Sequence, residues 1–197
     1  MIERFINDEE VYIKDITFEY ESAENISFIE AEFRNVNFVN CKFNRCDFTK
    51  ASFVECTFEN CSLGDSVFEE SYFRKSHLSD CRADRCIFSS SRFRECKFEE
   101  VSLCYANFSK AVMEDSAFTD CVMKESFITE AVIKRTKFKN TDLRYTDFFK
   151  TPLKGVDLSK CDIEGMSVSD SLKELEGLKI SPLQSVEIAK MTGVEFI

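Results

Sequence analysis

Apolar residues recur at every fifth position of this chain, from Ile13 to Val168, without a single shift of frame. Seventeen of these 32 central positions are Phe, and the others are Leu, Ile, Met, Ala or Val. A small or β-branched residue, such as Cys41 or Ala51, usually precedes each centre by two positions. A fixed short period is typical of a repeat architecture, so the repeat has to be explained before any other feature of the chain.

Neither a helix nor a flat strand can bury a residue at every fifth position. Five residues advance about 140° beyond a full helical turn, so the apolar positions would spiral around a helix. In a strand, an odd step of five alternates between the two faces. Each unit must therefore contain a corner, with the centre and the residue two before it both pointing inward. Such coils bury their interior by stacking, with backbone hydrogen bonds between them.

The unit resembles that of the pentapeptide-repeat family, in which a small residue, a polar residue, Leu or Phe, and two further polar residues follow one another. Residues 51–55 (Ala-Ser-Phe-Val-Glu) and 96–100 (Cys-Lys-Phe-Glu-Glu) fit this pattern well. The resemblance implies an all-β fold, a right-handed quadrilateral β-solenoid with four units in each coil. Residues 13–170 would then form about eight coils, giving a rod roughly 38 Å long.

Ten Cys residues could indicate disulfides or a zinc site, but their positions favour a packing role. Nine of them occupy the inward position two before a centre: Cys41, Cys46, Cys56, Cys61, Cys81, Cys86, Cys96, Cys121 and Cys161. Cys41, Cys61 and Cys81 should lie in one column, with parallel side chains that do not point at each other. A free Cys packs there as a small hydrophobe. Cys104 is the one Cys expected outside, and an exposed thiol suits a reducing cytosol.

No group of residues indicates catalysis, and we predict a protein that is not an enzyme and has no cofactor or metal. The single His, His77, directly precedes a central Leu and should point into solvent. Outward serines such as Ser52 and Ser89 have no nearby His to activate them. The chain has five Gly and no Gly-rich phosphate loop. Its net charge of −10 disfavours direct binding of nucleic acid.

The sequence predicts a cytoplasmic protein with no membrane partner. The first ten residues lack the apolar core of a signal peptide. No stretch approaches the roughly 18 consecutive apolar residues that a membrane-spanning helix requires.

The repeat stops after Val168, and residues 171–197 are predicted to form a cap. Ser181 suits the N-cap of a helix, Pro182 suits its first turn, and Gly193 suits the left-handed position that ends it. We therefore predict a helix over 182–192, with short extended segments on either side of it. A cap is needed because the end of a solenoid exposes unpaired strand groups. Residues 1–12 are predicted to cover the other end.

Residues 175–194 also resemble the C-terminal module of one branch of the family, the Qnr-type quinolone-resistance proteins and their topoisomerase-protecting relatives. In that branch the module forms a two-fold dimer at the end of the rod, which implies a homodimer here; a cap without dimerisation is the alternative. The candidate dimer interface comprises Leu183, Val186, Ile188, Ala189, Met191, Val194 and Phe196.

The five-residue frame assigns the charged side chains to four faces of the rod. The first face holds the centres 13, 33, 53 and so on, the second begins at 18, the third at 23 and the fourth at 28. Their net charges are +3, −3, −2 and −4. The first face carries basic residues such as Arg74 and Arg94. The candidate acidic contacts with a partner lie on other faces: Glu69, Glu70, Asp80, Glu99, Glu100 and Asp120.

Qnr-like proteins are described as mimics of duplex DNA that occupy the DNA-binding saddle of DNA gyrase or topoisomerase IV. The resemblance implies that this chain binds such a type II topoisomerase and protects it from quinolones or related toxins, or modulates its response to them. About 38 Å of duplex DNA carries roughly 22 charges, far more than the net charge of these repeats, so mimicry would depend on shape and selected faces. The frame has no insertion between residues 11 and 170, as in loop-free members, whose effect can be inhibition as much as protection. The alternative function is a scaffolding solenoid that mediates other protein–protein interactions.

Overall fold

A stack of short parallel strands forms most of the molecule. The computed structural model describes residues 11–195, and within that range it contains fourteen strands and one α-helix. The helix, α1, spans Ser185–Met191, and 3₁₀ turns lie at Lys173–Leu175 and Pro182–Gln184. The strands β1 to β14 are, in order, Tyr12–Glu19, Ser22–Glu24, Glu32–Val39, Lys42–Asn44, Ser52–Val54, Thr57–Glu59, Tyr72–Arg74, His77–Ser79, Arg92–Arg94, Lys97–Glu99, Val112–Glu114, Ala117–Thr119, Val132–Lys134 and Lys137–Lys139.

Each residue of the repeat pairs with the residue twenty positions further along. Phe33 lies beside Phe53, and Phe53 lies beside Phe73, in parallel register. Twenty residues are four units, so the β-solenoid with four units per coil is confirmed. Over most of the rod, consecutive coils are joined by backbone hydrogen bonds on every side, as between Phe43 N–H and the carbonyl oxygen of Ser62, at 2.7 Å.

The four faces are built in two different ways. The first and second faces carry strands β1, β3 and β5 to β14, which form one continuous sheet. The third and fourth faces are held mainly by single bridges such as Ser62 with Arg82. On these faces a tight turn follows most centres, as where Ala31 N–H donates to the carbonyl oxygen of Phe28 at 3.1 Å. The positive φ of Glu30 at the third position of that turn is the mark of a type II turn.

A left-handed residue forms the corner of each unit. The second residue after each centre, from Asp15 to Lys150, has φ between 49° and 61°. Ten of these 28 residues are Asn or Asp, the side chains that tolerate this conformation best after Gly. The strain costs about 1 kcal/mol or more at each residue and is offset by the hydrogen bonds between coils. The frame predicts a corner in every unit but not its location or its backbone conformation.

The interior is filled by stacked aromatic rings. The rings of Phe28 and Phe48 lie 4.9 Å apart and nearly parallel, and those of Phe48 and Phe68 lie 4.8 Å apart. Thirty of the 32 centres are buried, and only Ile133 and Val168 are half-buried. Offset stacking of this kind adds to the free energy gained from burial.

The Cys residues fill the space beside the rings, as predicted. All ten are free thiols, and the nine at inward positions are buried. Cys61 N–H lies 3.4 Å from Cys81 Sγ, one coil away in the same column. The expectation for Cys104 was wrong in degree, because the residue is half-buried and not fully exposed. Its backbone N–H donates to Asp84 Oδ1 at 2.9 Å.

The number of coils differs slightly from the eight expected. The ladder of strands on the first face extends from Tyr12 in β1 to Val132 in β13, which is six turns of twenty residues. Residues 151–170 continue the frame without forming strands. They pair with the preceding coil only on the third and fourth faces, through bridges such as Asp147 with Ser167.

The C-terminal module packs on the last coil. Lys179 bridges Asp157, in agreement with the extended segment predicted at 178–180. The helix predicted over 182–192 is shorter, because its first turn is the 3₁₀ turn Pro182–Gln184. Gly193 has φ +82°, which confirms the left-handed end of the helix. Most of the N-terminal cap predicted at 1–12, and Phe196 of the candidate dimer interface, lie outside the described residues.

Across residues 11–195, no helix has both the length and the apolar character needed to cross a membrane.

Candidate functional site

Three carboxylates form a row along the second face, which we call the acidic ladder: Asp80, Glu100 and Asp120. Each directly follows a strand, β8, β10 or β12, and each occupies the left-handed corner of its unit. The backbone N–H of Asp80 donates to Glu99 O at 3.1 Å, which ties one rung to the next. Strand stacking places successive carboxylates at intervals of about 4.8 Å. All three residues are exposed.

The ladder has few partners for its charge. Asn140 Nδ2 donates to Asp120 Oδ1 at 3.0 Å. Within the described part of the chain, Asp80 and Glu100 form no ion pair. Glu99, beside the ladder, lies 3.0 Å from the ring of His77 (Oε2 to Nε2). His77 lies on the outside of the rod, as expected, but its ring is only partly exposed and contacts this carboxylate.

The six candidate acidic residues do not form one surface. Asp80, Glu99, Glu100 and Asp120 lie together on the second face, whereas Glu69 and Glu70 lie on the fourth, across the rod. There Ser89 Oγ donates to Glu69 Oε1 at 3.1 Å. One flat partner surface cannot reach both sides of the rod. The second face is the stronger candidate because it holds four of the six residues.

Some carboxylates on the other faces are neutralised by arginines one coil away. Arg85 contacts Asp65 through two hydrogen bonds of 2.5 and 2.8 Å, and Arg135 contacts Asp115 through two of 2.6 and 2.8 Å. These guanidinium groups hold the pKa values of Asp65 and Asp115 below the ordinary range of Asp. The carboxylates of the acidic ladder have no arginine partner of this kind within the described residues.

The first face is basic, as the sequence indicates. Arg74 and Arg94 lie directly beside each other in the register of β7 and β9. Like charges in adjacent positions repel each other, so this pair does not stabilise the sheet. The rod therefore has a basic side adjacent to the side that carries the acidic ladder.

The candidate dimer residues fall into two groups. Leu183, Val186 and Val194 are exposed, Leu183 to 88%. Ile188 and Met191 are half-buried and pack against the core, and Ala189 is also half-buried. The first group is available to a second molecule, whereas the second group serves mainly to attach the helix.

Gln184 is the attachment residue that sequence reasoning missed. Its Nε2 donates to the carbonyl oxygens of Leu158 and Cys161, at 2.9 and 2.7 Å, and its Oε1 accepts a hydrogen bond from Ser181 N–H. The available signal was its position three residues after Ser181, which is that of a capping box.

Within residues 11–195, no group of three or more His, Cys, Asp or Glu side chains is arranged to hold a metal ion.

Comparison with known families accounts for the repeat. The family model described as a pentapeptide repeat region matches residues 51–128. The repeats of this chain therefore resemble those of the pentapeptide-repeat family. A second family model, described as the SV2A/B/C luminal domain, matches residues 10–88 of the chain and overlaps the first. A search of curated proteins gave no match.

Solved structures of pentapeptide-repeat proteins are similar to this one. A trypsin-treated variant of QnrB1, described as a plasmid-mediated fluoroquinolone resistance protein, is 21% identical over 95% of this chain and 99% of its own, with a TM-score of 0.52. Full-length QnrB1 is 17% identical over 93% and 100% of the two chains, with a TM-score of 0.37. HetL, a pentapeptide repeat protein involved in heterocyst differentiation regulation in the cyanobacterium Nostoc, is 13% identical over 84% and 87%, with a TM-score of 0.28. The first of these likenesses supports the shared fold.

Proposed function

We propose that this protein binds a type II topoisomerase, DNA gyrase or topoisomerase IV, and changes the response of that enzyme to quinolones or related toxins. It acts in the cytoplasm as a binding protein, without catalysis of its own. The observation that carries the proposal is the acidic ladder, a straight row of exposed carboxylates that arginines do not neutralise.

The ladder has the properties expected of a surface that replaces DNA. Its carboxylates repeat at about 4.8 Å along the rod, compared with about 3.4 Å between phosphates along one DNA strand. Like charges at neighbouring positions of a sheet are destabilising, so stability does not explain their presence. A row of carboxylates on a narrow rod attracts a basic groove by long-range steering. QnrB1, which is described as a fluoroquinolone resistance protein and shares the fold, supports the choice of topoisomerase as partner.

The alternative is a scaffolding rod that binds a different protein. The exposed apolar side chains of Ile87 and Phe127, in one column of the fourth face, favour it, because they offer contact area that does not depend on charge. The affinity of a partner bound there would not depend on salt concentration, whereas high salt would release a topoisomerase bound to the acidic ladder.

A supercoiling assay with purified gyrase, with and without a fluoroquinolone, tests the proposal. The protein should either restore supercoiling in the presence of the drug or inhibit it in the absence of the drug. Neutralising the ladder with Asp80→Asn, Glu100→Gln and Asp120→Asn should weaken the effect by about tenfold or more. The matched control, Glu69→Gln, Glu70→Gln and Glu130→Gln, removes the same charge from the fourth face and should retain the effect.

Two outcomes would count against the proposal. An equal loss in both triple variants would show that total charge matters and the ladder does not. No effect on gyrase or topoisomerase IV, and no binding of either enzyme, would favour the scaffolding function.

We also propose that the protein is a homodimer joined through its C-terminal module. Leu183, Val186 and Val194 place apolar side chains on the outer surface of the module, where no other part of residues 11–195 covers them. A second copy is the natural partner, because a two-fold interface needs only one self-complementary patch.

A further inference from the structure

The backbone hydrogen bonds between neighbouring coils are interrupted at one place in the rod. In regular coils the N–H groups of Val112 and Val132 donate one coil back, to Ser91 O at 2.8 Å and Ala111 O at 2.9 Å. The next coil lacks the corresponding bonds. Within the described chain, residues 131–140 and residues 151–160 share no backbone–backbone hydrogen bond. The opening affects the first and second faces only.

Pro152 explains why the opening occurs here. It occupies the position of Val112 and Val132 in the next coil, but it has no N–H to donate to the carbonyl oxygen of Ala131. The displaced segment pairs instead on its other side, with the C-terminal module. Lys179 N–H donates to Val156 O, and Leu158 N–H donates to Lys179 O, both at 2.9 Å.

The consequence is that β13 and β14 have free edges. They are the terminal strands of the sheet, at opposite ends of its strand order. Ile133 in β13 is half-buried, unlike nearly all other centres, because no strand covers it on this side. A free strand edge presents unpaired N–H and C=O groups that can accept another strand.

A basic groove lies along the free edge of β14, and we call it the coil-opening groove. Its lining includes Arg135, Lys137, Phe138, Lys139, Asp157 and Lys160. Lys137, Lys139 and Lys160 are exposed, and none of the three forms an ion pair within residues 11–195. The second face, acidic along most of its length, is thus basic where its strand edge is free.

We propose that the coil-opening groove binds an extended acidic peptide of a partner protein, which adds as a strand to the edge of β14. In the parallel register of β10, β12 and β14, Lys97, Ala117 and Lys137 share one position, and Phe98, Phe118 and Phe138 share the next. A peptide in the same register places an acidic residue beside Lys137, an apolar residue beside Phe138 and a second acidic residue beside Lys139. Alternate side chains of a strand point the same way, so both acids lie on the lysine side.

The chain itself supports this motif. In the twenty-residue frame Asp157 and Leu158 correspond to Lys137 and Phe138, so an acid followed by an apolar residue is what a closed coil would place beside them. Pro152 keeps that segment from closing onto β14. Strand addition with charge pairing is an established mode of peptide recognition, in which backbone bonds give affinity and side chains give specificity.

Fluorescence anisotropy with a labelled peptide, Glu-Val-Glu-Val-Glu, tests the proposal on the full chain. We expect a dissociation constant below about 1 mM. A peptide with Pro in place of both Val residues has the same charge but cannot pair as a strand, and should bind about tenfold more weakly or worse. Lys137→Glu with Lys139→Glu should cause a similar loss. The matched control, Lys97→Glu with Lys110→Glu, changes the same charge where no edge is free, and should keep affinity.

Hydrogen exchange supplies a second measurement. The amides of Arg135 and Asn140 should exchange more slowly when the peptide binds. Pro152→Ala restores the missing donor, so it should slow the same amides without peptide and weaken peptide binding. Equal binding of the Val and Pro peptides, stronger binding of duplex DNA that displaces the peptide, or no binding at about 1 mM peptide would each overturn the proposal.

Discussion

The side-chain amide of Gln184 donates a hydrogen bond to the carbonyl oxygen of Leu158 at 2.9 Å. The same nitrogen donates to Cys161 O at 2.7 Å, so one side chain joins the start of the C-terminal helix to two carbonyls of the last coil. Both carbonyls lie where the frame ends and no further coil follows. The attachment of the module therefore depends on this residue as well as on apolar packing.

Gln184→Ala should lower the free energy of unfolding by about 1–3 kcal/mol, because it leaves both carbonyls without this donor. Urea unfolding followed by circular dichroism measures the change. Glu176→Gln, an exposed change in the same module, should alter it by less than about 0.5 kcal/mol. If the two variants unfold at the same urea concentration, the side chain of Gln184 does not contribute to the attachment of the module.

The sequence predicts the solenoid well because its fold depends on one repeated requirement. Each centre must point inward, and the five-residue step allows that only if every unit turns a corner. The pattern is the same on all four faces, so it cannot show that Phe33 lies in a strand while Phe28 begins a turn. That difference depends on the hydrogen bonds around a whole coil.

The candidate site could be predicted only in part. The frame assigns Asp80 and Glu100 to one column, and the structure confirms that they are exposed there. The frame does not indicate that His77 contacts Glu99, or that Pro152 interrupts the backbone hydrogen bonds between two coils. Both features depend on contacts between coils. The role of Gln184 is missed for the same reason, because its acceptors lie 23 and 26 residues earlier.

Gly165 should be more sensitive to substitution than Gly155. Both have positive φ, +64° and +82°, but a Cβ on Gly165 would lie 2.5 Å from the ring of Tyr145, whereas a Cβ on Gly155 would meet nothing within 4 Å. Gly155→Ala should cost about 1 kcal/mol from backbone strain alone. Gly165→Ala should cost more, because the ring must also move. In a Tyr145→Ala background the two costs should become equal, and a persistent difference in urea unfolding would contradict this explanation.

Thiol labelling should distinguish Cys104 from the other nine cysteines. Burial raises the pKa values of Cys56 and Cys96 to about 11, so their reactive thiolate forms are scarce at neutral pH. With a chromogenic disulfide reagent, the native protein should show one slow reaction, absent in Cys104→Ser, and the rest should react only in denaturant. Rapid labelling of several thiols without denaturant would show that the coils open far more readily than their packing indicates.

Asp142 should contribute stability that is lost in acid. Its carboxylate accepts hydrogen bonds from Arg144 Nη2 at 2.6 Å and Arg144 Nε at 2.9 Å, and this guanidinium lowers the pKa of Asp142 despite the opposing effect of burial. A lowered pKa in the folded state stabilises the protein above the unfolded pKa of about 3.9, and the benefit disappears as the pH falls through the folded value. Asp142→Asn should therefore be less stable than the native protein at pH 7, with the gap narrowing below about pH 4. Urea unfolding at several pH values measures this gap, which should also shrink at pH 7 in an Arg144→Leu background.

Light scattering at tens of micromolar protein should give twice the chain mass of 22.8 kDa if the C-terminal module dimerises. Leu183→Glu with Val186→Glu should convert the dimer into a monomer, because two carboxylates would be buried without partners at the interface. These side chains are exposed in the single chain, so the variant should keep its circular dichroism spectrum. Ile29→Glu, at an exposed apolar position near the other end of the rod, should remain dimeric. A native protein with the mass of one chain would exclude this dimer, and a dimer that survives the double change would place the interface away from Leu183 and Val186.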